Sequence, residues 1–322
     1  MSARRRSLSL VLAGIVVGSC GSPPPGPTAT SGPTEGRRPA TTPTWSFRST
    51  PGSTDPAIGL PRIVIHSPSG GTAWSITEPG QPRRSTPLEV PPVDAELGLA
   101  SSDGSVLATT AAWVGVAKID GSVLWPTVSM PAPAGRAFVP ACFSGDGRPL
   151  FADAETLTLV ELTAAGLKPF ADLPLTTGEC APLPDGRTLV AVDGGALFTV
   201  DTEGRSTPVV GTLGGHLTAG GGLVAMTDPS SEAGAAVVRR APLADHDDFG
   251  PEIGRVMGRE AERVTDAQLS PDGRWLAVIL EGAMDARPEG RLRLYAVERD
   301  GLRLVDDLAI DVGSRITLMP GP

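Results

Sequence analysis

Ala267-Gln268-Leu269-Ser270-Pro271-Asp272-Gly273-Arg274-Trp275-Leu276-Ala277-Val278 carries the architecture of this chain. A short strand enters a Pro-Asp-Gly turn and a second strand leaves it. Asp-Gly suits the bend because a tight hairpin needs positive φ, which glycine adopts without steric cost. Downstream, Arg291 to Val297 alternates basic and apolar residues, the period of a half-buried strand. Arg299-Asp300-Gly301 then supplies the next turn.

The same grammar recurs upstream. Ser102-Asp103-Gly104 leads into Ser105 to Ala108, then Val114 to Ile119 and Asp120-Gly121. Gly145-Asp146-Gly147 leads to Pro149-Leu150-Phe151 and Leu157 to Leu162. Pro184-Asp185-Gly186 leads to Thr188 to Val192, then Ala196 to Val200. A degenerate copy runs from Ala219 to Met226 and on to Ala235 to Arg239. Asp103, Asp146, Asp185 and Asp272 lie 43, 39 and 87 residues apart, so the last gap holds two units.

Units of about 40 residues with four short strands are the signature of a β-propeller blade. The expected fold is therefore all-β, a propeller of six or seven four-stranded blades over residues 59–322, with seven narrowly favoured. Pro61 to His66 and Leu308 to Leu318 are strand-like, and sharing one blade between them would close the ring and remove an exposed edge. The only helix candidate, Gly258 to Val264, reads as a connection between blades. Ser270 to Ala277 resembles the WD40-like repeat of Tol-type bacterial propellers. Asp103, Asp146 and Asp185 with their glycines match it loosely, and the Trp-Asp dipeptide of eukaryotic WD40 blades is absent. The resemblance implies a fold and little about function.

The other decisive segment is the start of the chain. Arg4-Arg5-Arg6 precedes an apolar run from Leu8 to Val17, and Val17-Gly18-Ser19-Cys20 follows. A charged region, a short apolar region and small residues make a secretory signal. The apolar run is about ten residues, too short for a bilayer core that takes about 20. The cysteine after small residues resembles the bacterial lipobox, with Val17 where leucine is usual. That resemblance implies a signal peptide over residues 1–19, a lipid on Cys20, and a membrane-anchored protein on the extracytoplasmic face of the cell membrane. Residues 20–58 are rich in Pro, Ser, Thr and Gly and hold few large apolar side chains, so they read as a disordered tether. An O-glycosylated stalk is the alternative.

The chain carries 27 Lys+Arg against 36 Asp+Glu, a net charge of −9, and loss of the leader removes three arginines more. Nucleic acid needs a basic footprint, so it is excluded as a partner. Beyond Cys20 there are two cysteines, Cys142 and Cys180. An even pair in an exported chain is a disulfide candidate, with two unrelated buried thiols as the alternative. Cys142 lies four residues before Asp146 and Cys180 five before Asp185. A bridge therefore requires a bulge or irregular turn to cancel the offset of one residue.

Catalytic motifs are missing: there is no Gly-x-Ser-x-Gly, His-Glu-x-x-His, phosphate-binding Gly-x-x-x-x-Gly-Lys or Cys-x-x-Cys. Gly220-Gly221-Gly222 reads as a turn. Asp245-His246-Asp247-Asp248 is a solvated acidic loop, with calcium as the alternative occupant. His66 and His216 read as structural, Trp113, Trp125 and Trp275 as blade packing, and Arg239, Arg240, Arg291 and Arg293 as salt-bridge partners. No cofactor, metal or catalytic residue is assigned. The expected role is a non-enzymatic binding or scaffold module for an envelope protein or cell-wall component. The alternatives are a small-ligand sensor, or a hydrolase or lyase, with a site at the channel mouth. Carboxylates and histidine converging at one mouth would favour an enzyme, and an apolar patch on a face would favour a binder.

Overall fold

The computed structural model describes residues 60–68, 73–77, 85–88, 95–120, 123–173, 176–192, 195–212, 215–228, 234–242, 248–258, 262–282 and 290–320. The signal peptide, Cys20 and the tether expected over 1–58 lie outside the described residues, as do His246 and its flanking Asp245 and Asp247.

The described strands form six antiparallel sheets of four strands each, and no α-helix occurs among the described residues. One sheet is β1 (Arg62–Ser67), β2 (Ala73–Thr77) and β3 (Ser85–Pro87) together with the last strand, β24 (Arg315–Met319). The next holds β4 (Glu96–Ala100), β5 (Ser105–Thr109), β6 (Trp113–Asp120) and β7 (Val123–Pro131). It is followed by β8 (Phe138–Phe143), β9 (Pro149–Asp153), β10 (Thr158–Thr163) and β11 (Gly166–Pro169). The fourth contains β12 (Thr176–Pro182), β13 (Thr188–Val192), β14 (Ala196–Val200) and β15 (Ser206–Thr212). The fifth has β16 (Leu217–Gly220), β17 (Leu223–Asp228), β18 (Ala235–Arg240) and β19 (Glu252–Met257). The sixth has β20 (Glu262–Leu269), β21 (Trp275–Gly282), β22 (Gly290–Glu298) and β23 (Gly301–Ile310).

In five of these sheets strands neighbour in chain order, as in a β-propeller blade, and in the other β24 pairs with β1 ahead of β2 and β3. The first strands β4, β8, β12, β16 and β20 and the final strand β24 touch in a closed cycle, β24 returning to β4. The core follows the same cycle, because each apolar cluster is shared by two adjacent sheets. Val106 and Ala108 on β5 pack toward Val64 and Met319, while Leu107 between them packs toward Phe151 and Val160. Leu189 and Ala191 on β13 meet Leu217 and Val224, and Val190 meets Cys142 and Leu150. Period-two alternation thus feeds two cores from one strand, which is why second strands read as unbroken apolar runs.

The turns between first and second strands are built alike. Ser270 Oγ donates to Asp272 Oδ1 at 2.5 Å, and Arg274 N–H donates to the same oxygen at 3.1 Å. Ser144 Oγ donates to Asp146 Oδ1 at 2.5 Å, and Ser101 Oγ donates to Asp103 Oδ1. Gly104, Gly147, Gly186 and Gly273 hold φ between 70° and 89°, the region an L side chain disfavours.

Among the described residues there are six four-stranded sheets and no seventh. Pairing β1 with β24, from His66↔Arg315 to Arg62↔Met319, makes one sheet of the two chain ends. Dividing length by a uniform repeat also overlooked uneven blades. The last complete one runs from Glu262 to Ile310, with strands of 9 and 10 residues in it. Two smaller expectations change as well. The segment read as a connection over Gly258 to Val264 ends inside β20, whose first residue is Glu262. Trp125 is 59% exposed on the outermost strand of its sheet and packs no blade, whereas Trp113 and Trp275 lie against apolar clusters.

Candidate functional site

A cavity of about 360 Å³ lies where the six innermost strands meet. Its walls include residues from every one of the six sheets, among them Glu96, Val139, Glu179, Leu217, Asp266 and Arg315. The strands are held to one another at this level. Gln268 on β20 donates from Nε2 to the Ile316 carbonyl at 2.8 Å and accepts from Leu318 N–H at 3.3 Å. Leu269 N–H donates to Thr218 Oγ1 at 2.9 Å, and Thr317 Oγ1 donates to the Gly98 carbonyl at 3.1 Å. A disulfide joins Cys142 on β8 to Cys180 on β12.

Four carboxylates and two basic side chains line the cavity: Glu96, Glu179, Asp266 and Glu281 against His216 and Arg315. Arg315 Nη1 and Glu96 Oε1 are 2.9 Å apart, and Glu281 Oε1 accepts from Gly313 N–H at 2.7 Å. Glu179 Oε2 accepts from Leu217 N–H at 3.0 Å, which turns its Oε1 toward His216. His216 Nδ1 lies 3.3 Å from Glu179 Oε1 and 3.7 Å from Asp266 Oδ1.

This arrangement sets the ionisation of the site. The hydrogen bond to Glu179 raises the His216 pKa to about 9 against the opposing effect of burial, with help from the Asp266 charge. The ring is an imidazolium at neutral pH. Burial pushes the Asp266 carboxyl above the usual aspartate range, and the His216 charge only partly offsets it. Its Oδ1 is withdrawn from solvent and receives no hydrogen bond. His66, in register with Arg315, is held below the usual imidazole range by partial burial and then by the Arg315 charge.

Sequence reasoning read His216 as a satisfied structural histidine, and the structure pairs it with Glu179 and Asp266 in the cavity lining. It also missed Glu179 and Asp266. Each lies six residues before its turn aspartate, Asp185 and Asp272, so aligning the repeats on their turns marks both as one recurring position. Arg239, Arg291 and Arg293 do form ion pairs, with Glu252, Asp307 and Glu262. Among the described residues no group of three or more His, Cys, Asp or Glu is arranged to hold a metal ion. No helix among them is long and apolar enough to cross a membrane.

No protein-family model matches the chain, and no curated protein matches it. Solved structures do. A protein from Lactobacillus plantarum is 17% identical over 77% of this chain and 82% of its own, with a TM-score of 0.44. A functionally unknown protein from Desulfotomaculum acetoxidans is 10% identical over 76% and 79%, with a TM-score of 0.46. Kluyveromyces lactis Hsv2 is 13% identical over 67% and 62%, with a TM-score of 0.44. These scores and identities carry no argument about the mouth or its ligand.

Proposed function

We propose that this chain is a binding module anchored on the extracytoplasmic face of the cell membrane through a lipid on Cys20. Its propeller, which we read as a six-bladed, Tol-like ring, presents the channel mouth to an envelope protein or cell-wall component. The observation that carries this reading is the convergence of all six sheets on one cavity, with the apolar Val139 exposed in its lining. The carboxylates and His216 that also line it are the feature that favours the enzyme reading below. A rigid ring that delivers side chains to one concave point is a recognition surface with low ordering cost. The signal-like segment before Cys20 and the Pro/Ser/Thr-rich stretch after it support an outward-facing tether.

The test is photocrosslinking in intact cells. Val139 is 42% exposed and lines the mouth, whereas Leu304 is 48% exposed on an outermost strand. A crosslinker at Val139 should capture a discrete envelope adduct that Leu304 does not, and equal capture from both positions would remove the mouth from the reading.

The His216 cluster favours a second reading, acid–base chemistry by a hydrolase or lyase. A histidine flanked by two carboxylates is a proton-transfer arrangement when substrate reaches it. Turnover of an ester, glycoside or uronide probe that His216→Gln abolishes would establish that reading. The absence of such turnover would leave binding alone.

A further inference from the structure

We propose that the channel mouth is a seat for a primary ammonium group of lysine type, which takes the place of the His216 ring between Glu179 and Asp266. This rests on the reading of the mouth as a binding surface and names the chemistry it recognises.

The other charged groups at the mouth are already engaged. Glu96 is bound to Arg315, Glu281 accepts from Gly313 N–H, and Glu179 Oε2 accepts from Leu217 N–H. Glu179 Oε1 and Asp266 Oδ1 both face His216 Nδ1, at 3.3 and 3.7 Å. That nitrogen offers a single N–H. It lies within hydrogen-bond reach of Glu179 and falls short of Asp266, whose Oδ1 is buried without a hydrogen bond. An unsatisfied buried acceptor is costly. An ammonium carries three N–H donors on one atom and can satisfy both oxygens at once. The imidazole is also the outermost of the three groups: its side chain is 47% exposed, against 31% for Glu179 and 15% for Asp266. The ring is also hydrogen-bonded to the Thr265 backbone, a bond the incoming ammonium must replace. Carboxylates outnumber basic groups at the mouth, which further favours a cation.

The experiment is calorimetry on the full chain in detergent, with Nα-acetyl-lysine methylamide as probe and its Nε-acetylated form as the neutral control of similar shape. The charged probe should bind and the neutral one should bind about tenfold or more weakly. Asp266→Asn and Glu179→Gln should each weaken the charged probe by a similar factor while the melting transition is retained. His216→Ala should tighten it, because the competing cation is gone. Affinity should rise from pH 7 to pH 9 as the His216 ring loses its charge in a field set by Glu179, Asp266, Glu96, Glu281 and Arg315. It should fall again near the ammonium's own pKa of about 10.4.

Equal binding of both probes, no binding of either, or loss of binding in His216→Ala would overturn the proposal. So would zinc or calcium binding that depends on Asp266 when the amine does not bind. Failure of the amine with crosslinks from Val139 intact would refute the chemistry and spare the mouth. Amine binding without those crosslinks would refute the envelope partner and spare the seat.

Discussion

Cys142 and Cys180 are bonded across two adjacent sheets, their Cα atoms 5.6 Å apart and 38 residues apart in sequence. They stand one residue out of step relative to their turns, and the pairing slips at both places. The register shifts between Pro140 and Phe143 on β8 and between Thr176 and Cys180 on β12. Those irregularities bring two side chains to the same inter-sheet layer, where Leu150, Leu159 and Val190 surround them. Closing a loop of this length restricts the unfolded chain, for about 2–4 kcal/mol of stability. Replacing both cysteines with alanine should lower the urea midpoint correspondingly. Reductant should shift the parent protein but not the double variant.

His216 gives the protein a pH-dependent stability of defined sign. Its pKa in the folded state, about 9, lies above the value near 6.5 it has when unfolded. The folded protein therefore binds more protons than the unfolded one between those values. The contribution is complete below about pH 6.5 and is lost as pH rises through 9. Urea midpoints measured from pH 6.5 to 9.5 should fall with pH, and His216→Gln should flatten that slope. A slope unchanged in the variant would assign the effect to other groups. Asp266 adds in the same direction at lower pH, since a raised carboxyl pKa also favours the protonated folded state.

Gly145 lies where the turn of one blade meets the turn of the next. A Cβ there would sit 2.1 Å from the Arg187 carbonyl oxygen, and its own N–H donates to Thr188 Oγ1 at 3.0 Å. Backbone cannot retreat as a side-chain tip can, so Gly145→Ala should cost about 1–3 kcal/mol or more. Gly135 is the contrasting case, with φ +76° and open space around it. Gly135→Ala should cost only the left-handed penalty of about 1–2 kcal/mol. Thermal melts of the two variants order them directly. Similar losses in both would mean that the turns do not interlock.

Burial separates two residues that the sequence treats alike as apolar. Leu107 is fully buried between Phe151 and Val160, and Leu107→Ala should cost about 2–5 kcal/mol through lost transfer and the cavity left behind. Trp125 on β7 is 59% exposed, and Trp125→Ala should change stability by about 0.5 kcal/mol or less. Denaturant titration of the two variants provides the comparison.

The repeating turns were legible because their chemistry is local. Asp272 and Gly273 are dictated by one hairpin, and the same Ser-x-Asp-Gly bonding recurs at Ser101 and Ser144. Second strands such as Thr188–Val192 were legible for a similar reason, since both their faces are covered. The mouth was not, because it depends on which strands converge. Glu179 and Asp266 are 87 residues apart and meet only through His216, which a linear scan sees as an isolated imidazole after two glycines. Trp125 misled for the opposite reason, because strand periodicity identifies a side-chain face and does not say whether another sheet covers it.

The chain ends make the final prediction. β24 is the innermost strand of the sheet that begins with β1, and it pairs along Arg62↔Met319 to His66↔Arg315. It buries Ile316, Leu318 and Met319 and ties both neighbours, through Gln268 on one side and Gly98 on the other. Truncation before Arg315 would open the ring at its narrowest layer and leave β1 with an unpaired inner edge, a template for association with other chains. The truncated protein should lose cooperative unfolding and sediment as aggregate. Adding a synthetic peptide spanning 312–322 during refolding should restore soluble protein if register pairing with β1 is the cause. A peptide with Ile316 and Leu318 changed to aspartate should not. Rescue by both peptides alike would show that the closure depends on something other than those buried side chains.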